Sequence, residues 1–442
     1  MLNLNKIKKD YLTILFSLSL CLLMINLSFI NLIVFTISVY YIFFTIKKKN
    51  YKNLLQEKWF IYGLYIFLYL LLVSIISDYR IVSLKKSFHF FLFLIFALSI
   101  KNMVLNDYDK KILFSKIVFY IILFIILDLL FQFIFDKDIF GFEKIYGRLT
   151  GPFKNEPLSG SIISKFFPII VFYLYLKFNS KKNFFYIMVL TFFIIGSSII
   201  FTTERSAFLN FFILNIIFFI LFKNFRKIIF TSFSLILILG VLSFKFNHQI
   251  ESKIRYSFQS IGIDFIDKSN SDKTHQDKKY YYIASSVFDN PYGVLFLNSI
   301  EIWKKNKLFG TGLRSYRYEC EKTNEHLIKQ YVENYKNRKC NTHPHNLYFE
   351  ILAETGIIGL IIFVLYFIYL LRLGIINLKF ITDQNEKIFM KLMLSNLFII
   401  FLPLKISGAF FSSIEGGLNW IFLGIFLSCI NKNINNAKKS ND

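Results

Sequence analysis

The chain has 442 residues, of which 55% are hydrophobic and only 18% charged, yet 52 Lys+Arg against 28 Asp+Glu leave a formal net charge of +24. No single soluble core could hide this much apolar surface, and disorder is excluded by the same number. A nucleic-acid binder of this basicity would carry a polar remainder that is missing here. Long apolar runs separated by short basic clusters are instead the pattern of a polytopic membrane protein. The heavy use of Phe, Ile, Lys and Asn reads as composition bias and carries no functional weight.

A membrane span needs about 20 mostly apolar residues. Twelve segments qualify, at 11–27, 28–46, 59–77, 87–104, 112–135, 158–178, 184–203, 206–222, 227–245, 356–377, 388–403 and 411–430. The first two hinge near Asn26 and predict a tight helical hairpin. No small-residue cleavage site follows the first run, so a cleaved signal peptide is not expected. Short loops on one side collect 24 basic residues, among them Lys47–Lys49 and Lys432/Lys438/Lys439, while the opposite short loops hold 9, including Arg80, Arg148, Lys154, Arg205 and Lys405. Lys/Arg-rich loops stay in the cytoplasm, so both termini are expected there and most of the +24 is a topology signal.

These readings predict an all-α polytopic membrane protein of about 12 transmembrane helices with one large, mainly helical periplasmic loop between helices 9 and 10. Residues 1–245 would carry helices 1–9, residues 246–355 the loop, and residues 356–442 helices 10–12 with a cytoplasmic tail. Within the loop, a helix is expected at Gln249–Ser260 and an exposed polar stretch at Asp267–Lys279. Another helix is expected over Ser299–Lys305, ahead of Phe309-Gly310-Thr311-Gly312.

Cys21 and Cys429 fall in apolar runs and read as small hydrophobes. Cys320 and Cys340 share the outer loop, where a disulfide is predicted; two free thiols are the alternative. His248, His275 and His326 have the context of surface histidines, and His89 that of a satisfied intramembrane polar group. Lys116, Asp128 and Lys165 are costly inside a membrane, which points to pairing of Asp128 with one of the two lysines.

The most informative stretch runs from His343-Pro344-His345-Asn346 to Gly356. Asn346 has the character of a helix N-cap, and Gly356 can break the helix where it meets the next span. Glu350 and Glu354, four apart, share a face. Read by itself, this is equally an interfacial helix with solvated carboxylates. His345-Asn346, nine residues, Gly356, two residues and Gly359 resemble the hallmark of the O-antigen ligase family. The wider ligase/polymerase superfamily supplies three further similarities. These are Gly147–Asn155 (its Arg-Leu-x-Gly-x-Phe-x-Asn loop), Arg205 to Leu209 (Arg-x-x-x-Leu) and Trp303 to Gly312 (Trp…Leu-Phe-Gly-x-Gly).

The resemblance implies a glycosyltransferase of the bacterial inner membrane, working at the periplasmic face. Its donor would be a glycan on a polyprenyl diphosphate, its acceptor lipid A-core or a growing glycan, with no cofactor, no metal and no nucleic acid. His345 would be the general base and Arg205 a catalytic arginine. Arg148, Arg314, Lys154, Asn346 and Glu354 would bind substrate, since arginine offers a planar fork to phosphate oxygens. Glu204 would orient or neutralise Arg205. A polymerase of the same superfamily is the nearest alternative. A lipid-linked sugar flippase or transporter suits twelve spans, but no repeat relates the two halves and the hydrophilic mass sits in one loop.

Overall fold

A computed structural model of the chain describes residues 4–49, 57–145, 147–246, 291–331, 340–403, 405 and 407–430. The helix expected at Gln249–Ser260, the polar stretch Asp267–Lys279, His248 and His275 lie outside the described residues, as does the side chain of His326. The helices, in chain order, are α1 (Leu4–Ser19), α2 (Leu22–Ile25), α3 (Phe29–Lys47), α4 (Lys58–Ile76), α5 (Arg80–Ser99), α6 (Tyr108–Phe135), α7 (Ser159–Phe178) and α8 (Phe184–Thr202). Then follow α9 (Arg205–Leu221), α10 (Phe225–Phe246), α11 (Pro291–Lys305), α12 (Tyr316–Tyr331), α13 (Leu347–Asn377), α14 (Gln384–Ile400) and α15 (Ser413–Ser428). Among the described residues there is no strand beyond two isolated bridges, Lys137–Glu143 and Ile145–Arg148.

The apolar segments fall on helices, the first, 11–27, being divided between α1 and α2. Seven helices among the described residues are long and apolar enough to cross a membrane: α3, α4, α5 with its π-turn to Val104, α6, α7, α8 and α13. Three shorter apolar helices cover Asp10–Ile25, Arg205–Leu221 and Ile414–Ser428. The chain is thus an all-helical, multi-pass membrane protein. Phe35, Phe43 and Ile46 on α3, Tyr65 and Leu68 on α4, and Leu365 and Ile368 on α13 are all exposed. Such a belt fits lipid and would be a liability in water. The break at Asn26 is extended (φ −159°), and the hydroxyls of Tyr11 and Tyr40 meet at 2.8 Å, which folds α3 back beside α1.

The most buried span is α7, packed among α6, α8, α9 and α14 with Phe167 and Phe172 fully enclosed. Side-chain caps fix where several helices begin: Asp107 accepts from Lys110 N at 2.9 Å, Asp383 from Glu386 N at 2.8 Å and Ser412 from Glu415 N at 3.2 Å. Each satisfies an amide that has no partner within its own helix.

Two expectations about intramembrane polar groups are overturned. Lys165 pairs with Glu415 at 2.6 Å, not with Asp128. Asp128 instead accepts from Ile139 N at 2.8 Å in the loop after α6, and Lys116 lies exposed on that helix. The sequence separations hid this, because α15 reaches α7 only through the fold. His89 stacks edge-on against Phe93 with centroids 4.6 Å apart, but its buried Nε2 has no partner among the described residues.

Candidate active site

Two glycine turns lie back to back at one end of the bundle. Gly310 (φ +69°) follows α11, and Gly356 (φ +69°, ψ −174°) interrupts α13. Their backbones are laced together: Thr311 N donates to Ala353 O at 3.1 Å, Gly312 N to Glu354 O at 2.9 Å and Ile357 N to Lys307 O at 2.9 Å. A Cβ on Gly356 would stand 2.2 Å from Leu308 O, and one on Gly310 2.5 Å from Gly356 N. Only glycine accepts both the left-handed backbone and this approach. The tenth apolar segment is therefore longer than its hydropathy implies: α13 begins at Leu347, nine residues before the break. The loop also docks on the α4–α5 turn, where Ser77 Oγ donates to Thr311 O at 2.7 Å and Leu313 N donates to Ser83 Oγ at 2.9 Å.

The hallmark side chains surround this clasp. Asn346 caps α13, its Oδ1 accepting from Tyr348 N at 2.9 Å and Phe349 N at 3.2 Å, while its Nδ2 donates to Pro403 O at 2.7 Å. Glu354 accepts from Arg314 N at 2.6 Å, and Glu350 accepts from Phe410 N at 2.7 Å. Asn346 and Glu354 are expected from the sequence to contact substrate; in the structure both are buried and turned onto backbone amides and carbonyls. The Arg314 guanidinium acts electrostatically on His343, Lys86, Glu350 and Glu354, so these charges share one neighbourhood.

His345 sits in a left-handed turn (φ +57°) with its ring 4.1 Å from that of His343. Its Nε2 lies 3.2 Å from Asn341 Nδ2. A hydrogen bond between these atoms corresponds to the neutral tautomer with its proton on Nδ1. Burial lowers the His345 pKa. Burial, reinforced by the His345 and Arg314 charges, lowers that of His343 to about 3.

Sequence reasoning missed two members of this region, Lys405 and Glu415, and gave Lys165 the wrong partner. Lys165 on α7, Glu415 on α15 and Lys405 in the intervening loop form a buried charged group, and Glu415 acts on His343. Lys405 counted only as an outer-loop charge and Glu415 only as part of an apolar run. The sole signal was the cost of Lys165 within a span.

Arg148, Lys154, Glu204 and Arg205 form a separate neighbourhood around the start of α7. Glu204 caps that helix, accepting from Gly160 N at 2.7 Å and Ser161 N at 2.9 Å. It therefore does more than attend Arg205. Burial pushes its carboxyl up to about 7, against the pull of those amides and of Arg148. Lys154 (φ +56°) is exposed and lies over the Phe142 ring at 5.4 Å. Beside this loop is an apolar crevice lined by Leu20, Leu23, Val118, Ile122, Phe153 and Ile162. The segment Ser161 to Lys165 of α7 joins the two neighbourhoods.

Cys320 and Cys340 form a disulfide with Cα atoms 5.7 Å apart, tying α12 to the start of the hallmark. Beside it, Glu319 binds Lys305 at 2.6 Å, Lys322 at 2.8 Å and the Tyr79 hydroxyl at 2.6 Å. Burial alone would raise the Glu319 carboxyl, but these hydrogen bonds outweigh it and bring the pKa down to about 2. Among the described residues no group of three or more His, Cys, Asp or Glu side chains could hold a metal ion.

The fold and this polar end define a multi-pass membrane protein whose buried charges and histidines gather at one end of the bundle. Residues 190–364, from α8 to the middle of α13, match the family model described as O-antigen ligase, which supports the O-antigen ligase superfamily. Members of that family are glycosyltransferase-like enzymes acting on lipid-linked glycans. No curated protein matches the chain.

Proposed function

We propose that the protein is an O-antigen ligase-like glycosyltransferase that moves a glycan from a polyprenyl diphosphate to lipid A-core at the periplasmic face of the inner membrane. The observation that carries this reading is the position of His345, held in a left-handed turn with its ring 4.1 Å from His343 beside the Arg314 neighbourhood and within the family-matched region. In this mechanism the acceptor sugar hydroxyl attacks the anomeric carbon and gives its proton to His345. The bond from that carbon to the diphosphate oxygen breaks, and configuration inverts. Arg205 and Arg148 stabilise the charge growing on the leaving diphosphate, with Lys154 and Arg314 as further cationic contacts. Asn346 and Glu354 hold the loops that present these groups.

A His345→Ala variant in the native host tests the reading. Lipid-linked polymer should accumulate while polymer-bearing lipid A disappears, with the rate falling roughly 100- to 10,000-fold. Loss of long chains with single repeats still attached to lipid A would indicate a polymerase instead. Undiminished surface glycan would remove His345 from catalysis.

A further inference from the structure

The charge balance at the junction of α7 and α15 does not close. Lys165 and Lys405 are each only 5% exposed, and Glu415 is committed to Lys165 at 2.6 Å. Glu415 attracts the Lys405 ammonium as well, but among the described residues no ion pair to Lys405 closes within 4 Å, so two buried cations share one carboxylate. Two enclosed cations on one carboxylate are costly, and a fold that retains the excess charge has a reason to.

The loop around Lys405 is strapped to the hallmark. Asn346 Nδ2 donates to both Pro403 O (2.7 Å) and Lys405 O (3.4 Å), Ser407 N donates to His345 O at 2.8 Å, and Phe410 N donates to Glu350 at 2.7 Å. Lys405 is therefore positioned by the residue that immediately follows the proposed base. Two buried polar atoms in this loop and the hallmark, His343 Nε2 and Ser407 Oγ, have no partner among the described residues. Burial and the Lys165 charge lower the Lys405 pKa to about 8 against the pull of Glu415, which still leaves a cation at neutral pH.

We propose that Lys405, which shares Glu415 with Lys165, is an oxyanion-binding position beside His343 and His345 that takes a phosphate or carboxylate oxygen of a substrate. This rests on the glycosyltransferase reading and adds a contact to it. The oxygen comes either from the diphosphate of the donor or from an acid group on the acceptor sugar. In both cases Lys405 supplies a charge-assisted hydrogen bond close to where the acceptor proton is removed.

Thermal unfolding of the full-length protein in lipid nanodiscs, titrated with farnesyl diphosphate or with glucuronate, tests the assignment. The wild type should be stabilised by one of the two, and which one identifies the source. Lys405→Met should bind that ligand roughly 10- to 100-fold more weakly, yet unfold no earlier than wild type when free, because it loses the buried positive charge in excess of the one carboxylate. Glu415→Gln should bind more tightly, since a competing carboxylate is gone. Should Lys405→Met fail to fold, Glu415→Gln decides alone, and unchanged or weaker binding there overturns the proposal. Undiminished affinity in Lys405→Met, or no response of the wild type to either ligand, does the same. Neither result bears on His345, whose transfer assay is scored separately.

Discussion

The hallmark region and the arginine loop are built on opposite plans. Around Gly310 and Gly356, carboxylates and an amide turn inward to hold backbone groups, and two strands of chain touch with no side chain between them. Around Arg148 and Lys154, one buried carboxylate, Glu204, caps α7, while Lys154 lies at the surface. The first plan gives rigidity, as a base aimed at a hydroxyl needs. The second leaves cations near a helix N-terminus, whose amides also favour anions.

Substitutions should separate the two plans. The largest effect is expected from Gly356→Ala, which forces a left-handed backbone on alanine and sets its Cβ 2.2 Å from a carbonyl oxygen. A loss of about 4 kcal/mol or more, read as failure to accumulate folded protein, is expected. Wild-type yield would mean that the clasp tolerates a side chain.

Next comes Arg205→Ala, expected to lower transfer roughly 100-fold or more while leaving the unfolding temperature near wild type. Arg205→Lys should recover only part of it, because lysine keeps the charge and loses the fork. Full activity in both variants would remove Arg205 from the mechanism.

His343 and Glu204 should also respond to pH with opposite sign. His343, whose pKa falls to about 3 on folding, binds a proton more readily when unfolded, so its contribution to stability is lost as pH falls below about 6.5. Glu204, raised to about 7, binds its proton more readily when folded, so stability falls as pH rises between the ordinary glutamate range and 7. Glu204→Gln should flatten the second slope and leave the first. An unchanged profile would show that Glu204 is ionised throughout. The smallest effect is Lys154→Ala, within about 0.5 kcal/mol of wild-type stability; a larger loss would mark the Phe142 contact as structural.

Much of this organisation was legible in the sequence because it follows from local chemistry. Apolar runs long enough for a bilayer located every helix that carries them, Asn346 declared a cap and Gly356 a break. The segment boundaries were less legible: hydropathy started the tenth segment at the break, since polar residues before it are hidden by burial against α11. Pairings between distant elements were not legible at all. Asp128 and Lys165 are closer in sequence than Lys165 and Glu415, yet the fold joins the latter.

The chain's excess of 24 positive charges thus divides by cause. Composition and loop bias by themselves determined that this is a helical membrane protein, and the resemblance to the O-antigen ligase hallmark pointed to His345 and the arginines. Only the tertiary structure decided which charges meet, because electrostatic contacts depend on distances between helices that no local pattern encodes. It turned Asn346 and Glu354 inward and drew Lys165, Lys405 and Glu415 into the same end of the bundle as His345.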